Sequence, residues 1–360
     1  MKKIFIPLLL FSLQINAQEI SVAALGLKPP AQINYTPVKD QYMSSTCWSF
    51  SSNSLLESEL LKSGKGKNDL SEMFVSRYSM LRKINLHLKL KGKNFFTPGG
   101  QFHDVVWVLK NYGMAPEEIY SGKGRGEINY DHAEMDTTLS HLINQYVANG
   151  VQELSAGQQK EIDSILNYYY GKPPAVFHYK GKSYTPVSYL KDYLKVNPDD
   201  YVEITSYTHH PFYKSFVLED KYNWTGDEYF NVPLADFESI TDNALKNGYT
   251  VGWDGDADDA FFNYYSGLAY LPDSIKPNQQ QRQLAFENQT TLLNHMMHVV
   301  GKSYDNLGNK WYYIKNSWGN ITNAIGGFLY MRADYFKIRT VAIIVNKKAI
   351  PVAIRKRMGN

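Results

Sequence analysis

An α+β protein of two lobes, helical first and strand-rich afterwards, is the fold class this sequence predicts. Three observations carry it. Helix-period apolar patterns dominate the first half, and strand-type apolar runs with a hairpin signal dominate the last third. The two kinds are segregated, whereas a parallel α/β sheet would alternate them. The chain shows no internal repeat.

Residues 18–40 read as extended, because Pro29, Pro30 and Pro37 block regular helix. A helix begins near Cys47. Trp48, Leu55, Leu56 and Leu60 fall on one stripe and Glu57 and Lys62 off it; Ser44 and Ser45 are its expected caps, and Ser63 to Gly66 close it. A second helix spans roughly 69–87. A third, 101–112, has Phe102, Val105, Val106 and Leu109 at helical spacing and is ended by Gly113 and Pro116. The turn Thr97-Pro98-Gly99-Gly100 precedes it. Residues 121–175 are Gly-rich, then helical and polar, and read as an insertion or lobe extension. Residues 180–250 mix short strands and turns with a helix near 234–247. A buried-type strand follows at 249–253. The apolar runs 295–304 and 310–315, joined by Asp305-Asn306-Leu307-Gly308-Asn309, predict a hairpin, and 327–332 and 340–345 are further strands. The expected division is a helical lobe over roughly 41–175 and a β lobe over roughly 176–350, within one domain spanning 18–360.

The composition fits this picture. Of 360 residues, 43% are hydrophobic and 20% charged, enough for a packed core and too apolar for global disorder. A net charge of +3 predicts no nucleic-acid partner. The one cysteine, Cys47, excludes both an intrachain disulfide framework and a Cys-rich zinc site. Residues 1–17 read as a signal peptide: Lys2-Lys3, an apolar run from Ile4 to Leu13, and cleavage near Ala17-Gln18. The apolar run is about half the length that spanning a bilayer requires. The expectation is an exported protein, periplasmic or secreted, with no stable membrane association after cleavage.

Chemistry is expected at Cys47. A free thiol is mostly protonated at neutral pH, and a helix N-terminus favours its anion. An imidazole beside it, held by a third group, completes a nucleophilic site. His295 opens the first strand of the hairpin and Asn316 follows the second, so antiparallel pairing brings their side chains together. Trp318 is placed to cover that contact. The Cys47 N–H and the Gln41 amide are candidate donors for a developing oxyanion.

Gln41 through Ser49 (Gln-Tyr-Met-Ser-Ser-Thr-Cys-Trp-Ser), the run His295-Met-Met-His-Val-Val-Gly301, and Lys315-Asn-Ser-Trp-Gly319 together resemble the papain-like cysteine peptidases. Asp69-Leu-Ser-Glu-Met-Phe74, Gly99-Gly-Gln-Phe102 and the absence of further cysteines are similar to the bleomycin hydrolase and aminopeptidase C branch. The resemblance covers roughly 33–120 and 245–350. It implies a papain-like two-lobe fold with the cleft between a helical lobe and an antiparallel β half-barrel. Cys47 is then the nucleophile, His295 the acid/base, Asn316 its orienting partner and Gln41 an oxyanion donor, with Trp48 and Trp318 as supporting neighbours. Gly99 and Gly100 offer backbone to an extended peptide. The implied activity is peptide hydrolysis without metal or organic cofactor, as an aminopeptidase, and the branch assembles as a hexameric homo-oligomer. Ser45 stands where the family usually has Gly, and the chain stops soon after its last strand where the branch carries a longer arm. An endopeptidase, and a catalytically weak peptide-binding or scaffold protein, therefore stay as alternatives.

Other features receive plainer readings. His298 competes with His295 and points to the opposite strand face. His209-His210 reads as structural or surface-exposed, with no acidic partner near. Asp254, Asp256, Asp258 and Asp259 read as a solvated loop near the cleft, lacking the Gly and Glu of a calcium loop.

Overall fold

The computed structural model describes residues 20–30 and 34–359. The expected signal peptide lies outside the described residues.

Five long helices come first: α1 (Cys47–Lys62), α2 (Glu72–Lys89), α3 (Phe102–Tyr112), α4 (Ala133–Ala148) and α5 (Ala156–Tyr170). A small hairpin, β1 (Phe177–Tyr179) and β2 (Lys182–Tyr184), and the short helical segment after it add Phe177, Tyr179, Tyr189 and Leu194 to the same helical core. The remaining strands are β3 (Tyr201–Thr205), β4 (Ser215–Val217), β5 (Glu228–Asn231), β6 (Val251–Gly255), β7 (Phe262–Asn263), β8 (Leu268–Ala269), β9 (His295–Tyr304), β10 (Lys310–Lys315), β11 (Phe328–Arg332) and β12 (Thr340–Asn346). They form one ten-stranded sheet in the order β4-β5-β3-β12-β6-β9-β10-β11-β8-β7. Pairing is antiparallel except β3 with β5 and β8 with β11, whose partners return through long crossovers. The helices α6 (Leu234–Lys246) and α7 (Ala333–Arg339) pack Phe237 and Phe336 into the core on one sheet face. The fold is α+β and papain-like.

The expected hairpin is β9–β10, with both strands at the predicted residues. The third helix also stands where expected. Its Gln101 and Asp104 close a reciprocal capping box, and Gly113 ends it at φ 81°, a conformation that favours glycine.

The first helix differs from its expected one-sided stripe. Trp48 to Ser58 are all buried, the supposedly outward Glu57 included. The cause is its run of serines. Small side chains let neighbours approach on every face, and most of the hydroxyls find partners. Ser49 donates to the Glu72 carbonyl (2.8 Å), Ser51 to the Met297 carbonyl (2.6 Å), and Ser54 meets His298 Nδ1 (2.8 Å). Glu57 accepts from Thr36 Oγ1 (2.6 Å) and the Leu70 N–H (2.9 Å). The helix is thus the central post between β9 and the other helices.

Candidate active site

The cleft lies where the start of α1 meets the start of β9. It has a volume of about 340 Å³ and is lined by Gln41, Cys47, the loop 97–100, Tyr222, Asp254, residues 293–296 and Trp318.

Cys47 is the first residue of α1 and half-buried. Neither expected cap holds the helix. Thr46 takes the cap position without a side-chain bond, because Ser44 turns its hydroxyl back onto the Gln41 carbonyl (2.6 Å) and Thr46 Oγ1. Ser45 instead adopts φ 56°, the left-handed region in which a side chain is strained. Glycine adopts that conformation without strain, and Ser45 fits by pointing outward, exposed at the cleft edge. No side chain caps the first turn, and its Cys47 and Trp48 N–H groups face the sulfur.

His295 and Asn316 are brought together: Nε2 and Oδ1 are 2.7 Å apart and both residues are buried. The β9–β10 pairing delivers them, since Lys315 pairs with His298 and the chain then continues to Asn316 beside the strand's first turn. The Trp318 ring lies 4.6 Å from the imidazole at a 30° tilt and covers the contact. Gln41 is anchored by two bonds to the same segment: its N–H donates to the Ser317 carbonyl (2.8 Å), and its Oε1 accepts from Ser317 Oγ (2.6 Å). With the oxygen engaged, the amide NH₂ is the free end.

Burial dominates the electrostatics. It pushes the Cys47 thiol up to about 12, with the Asp254 carboxylate adding to the rise and the backbone N–H groups of Met296, Trp48 and Cys47 itself opposing it. It pushes the His295 imidazole down to about 4, opposed by Asn316. Each group alone is therefore neutral near pH 7. Moving one proton from sulfur to ring creates both charges together, and their mutual attraction opposes the two desolvation penalties.

Gly100 is fixed by packing. A Cβ there would lie 2.8 Å from the Trp48 ring, whose Nε1 donates to the Pro98 carbonyl (3.3 Å). Gly99 has ordinary clearance to Tyr222 and lines the cleft mouth. His298 is on the opposite strand face, held by Ser54 Oγ beside Lys315, whose Nζ donates to the same hydroxyl (2.8 Å).

Two plainer readings need correction. His209 and His210 do have an acidic partner: Glu219 accepts from both, at 3.1 and 2.6 Å. It was missed because the chain folds back over nine residues through β4. The aspartate run is not a solvated loop either. Asp254 lies inside β6, and both Asp254 and Asp256 are buried; only Asp258 is exposed. Sequence reasoning also missed Met296, whose N–H faces the sulfur, and Leu293, Asn294 and Tyr222 in the cleft wall. Flanking the expected histidine was the available signal for the first three; Tyr222 offered none.

A model of the Peptidase C1-like family matches residues 81–360. Among curated proteins, the chain is 24% identical to Aminopeptidase G of Lactobacillus delbrueckii subsp. lactis over 86% of this chain and 81% of that one. It is 22% identical to Aminopeptidase C of the same organism over 95% and 86%. It is 24% identical to bleomycin hydrolase of Gallus gallus over 70% and 63%. Among solved structures, PepW from Lactobacillus rhamnosis superposes with a TM-score of 0.71 at 19% identity, covering 92% of this chain and 85% of that one, which shows the shared fold. The convergent cleft, the fold and the family match agree: the chain belongs to the Peptidase C1-like family and is a cysteine peptidase.

Proposed function

We propose that the protein is an aminopeptidase that hydrolyses peptides through a Cys47 thioester. The observation that supports it most is convergence: Gln41, Cys47 and His295 share one cleft, and Asn316 holds His295 from the flanking strand. The relatives named aminopeptidases supply the exopeptidase direction.

His295 takes the thiol proton as the sulfur attacks the scissile carbonyl carbon. The carbonyl oxygen gains negative charge and is met by the Cys47 N–H and the Gln41 amide. The C–N bond breaks, the leaving nitrogen receives the proton from His295, and an acyl thioester remains. Water then attacks the thioester while His295 accepts its proton, and the proton returns to sulfur as the acid leaves. Gly99 and the loop backbone beside it leave room for an extended substrate to approach.

A second reading, endopeptidase action, is favoured by one observation. Among the described residues none after Trp318 lines the cleft, and the C-terminal residues 352–357 pack on the β-lobe core through Ile354. Paired fluorogenic substrates decide between them. Cleavage of free-amine aminoacyl amides with N-acetyl peptides left intact supports the aminopeptidase; internal cleavage of N-acetyl peptides rejects it. Export is part of the proposal and rests on residues 1–17; Gln18 as the N-terminal residue of the protein recovered outside the cytoplasm tests it.

A further inference from the structure

β9 carries His295 between two flanking strands. β10 on one side leads to Asn316; β6 on the other presents Asp254, directly opposite Met296 in the register. Asp254 shares its strand face with Gly252, which packs against Phe102 of the helical lobe, so the carboxylate is directed toward the seam between the lobes, and it lines the cleft. It is wholly buried, and neither carboxylate oxygen has a hydrogen-bond partner among the described residues.

Such a group is expensive to keep. A buried carboxyl without partners loses its hydration and gains nothing in return. Burial, together with the charges of Asp220 and Glu203, both acids, holds its carboxyl well above the usual range. Glu203 is itself answered by His103 at 2.8 Å, and Asp220 accepts from the Tyr222 N–H at 2.8 Å. Asp254 is the member left without a counterpart, and it is the member at the cleft.

We propose that Asp254 receives a primary ammonium group of the substrate in the cleft, on the flank of His295 away from Asn316. The proposal rests on the peptidase reading and adds to it the charge class of the substrate. An ammonium supplies what the site lacks: three N–H donors for two unpartnered oxygens, and a positive charge among acids. Met296 faces Asp254 across the strand pair and lines the same cleft; its unbranched side chain rotates to admit the cation. Two sources carry this chemistry, the α-ammonium of a peptide N-terminus and a lysine side chain.

The experiment uses the full-length enzyme and two substrate pairs. One pair is an aminoacyl or dipeptidyl coumarin amide against its N-acetyl form. The other is an N-acetyl-Lys-Ala coumarin amide against its N-acetyl-norleucyl counterpart. In wild type, kcat/KM favours the cationic member of at least one pair, and Asp254→Asn lowers that preference about 10- to 100-fold. Collapse in the first pair assigns the N-terminus, and collapse in the second assigns lysine. Asp254→Ser reads the same ratio if the Asn variant does not fold. Unchanged ratios in a folded, active variant overturn the proposal, as does a wild type indifferent to charge in both pairs. A wild type that cleaves none of the substrates and resists thiol-directed labelling overturns the peptidase reading first, a different result from unchanged ratios.

Discussion

Asn316 fixes which nitrogen of His295 carries the proton. Asn316 Oδ1 accepts from the Ser317 N–H at 2.8 Å, so the oxygen end of that amide faces the segment and cannot be exchanged with the NH₂ end. The same oxygen lies 2.7 Å from His295 Nε2, which must therefore be the donor. The neutral ring is thus protonated on Nε2, and Nδ1 keeps the lone pair that can take a proton from the thiol.

Asn316→Ala releases that tautomer and ring orientation. Turnover is expected to fall roughly 100-fold, within the range of general acid–base contributions, with a smaller change in KM. Steady-state kinetics on a free-amine substrate checks this, and turnover retained within about twofold contradicts it.

His295→Ala removes the proton acceptor while leaving the sulfur buried. Since burial, with the Asp254 carboxylate adding to it, pushes the thiol up to about 12, alkylation of Cys47 by iodoacetamide should become slow at pH 7 and rise only in strongly alkaline solution. Wild type should instead alkylate across neutral pH. Coincident pH profiles for the two proteins would count against proton transfer between sulfur and ring.

Acid should destabilise the fold through its buried histidines. Burial holds His295 and His132 each down at about 4 against an ordinary 6.5. The unfolded chain then binds more protons, so their contribution is present above about pH 6.5 and is lost as pH falls toward 4. Each shift amounts to about 3 kcal/mol at most. Buried acids pull the other way: Glu72 is raised to about 8 and Asp136 to about 7. The histidine term is therefore read as a difference. Urea unfolding of wild type and His132→Gln at pH 7 and pH 4.5 should show wild type losing stability relative to the variant on acidification. An equal loss in both would remove His132 from the account.

Ser45→Gly relieves the left-handed strain just before the nucleophile. The gain is about 1 kcal/mol less some unfolded-state entropy, so thermal unfolding should shift upward by about 1–2 °C. Gly100→Ala is the opposite case, forcing a methyl to within 2.8 Å of the Trp48 ring, and should destabilise by about 1–3 kcal/mol. Differential scanning calorimetry of both variants tests the pair; a stabilised Gly100→Ala would contradict the packing described for Trp48.

Much of this was legible from the sequence, for identifiable reasons. The hairpin that places His295 and Asn316 announces itself through two apolar runs and a Gly-containing turn, and α3 through spacing, Gly113 and Pro116. Local signals suffice where the determinant is local. The all-round burial of α1 was not legible, because its serines read as polar until α2 supplies a partner for Ser49 and β9 supplies partners for Ser51 and Ser54. Asp254 was misread for the same kind of reason: in an acidic stretch it resembles a solvated loop, and only the pairing of β6 with β9 shows that it is enclosed. The Glu219 bridge to His209 and His210 likewise depends on how β4 returns. Tertiary placement of polar residues is what patterning by hydrophobicity does not record.

The proposed chemistry runs through Cys47 as a nucleophile activated inside this cleft. Intact-mass analysis with peptide mapping, after a thiol-directed epoxide is added at pH 7 under reducing conditions, tests it most directly. The expected result is one adduct on Cys47 and loss of hydrolysis in proportion to labelling, with Cys47→Ala unlabelled and inactive. Full hydrolysis by the labelled protein, or by Cys47→Ala, would contradict it.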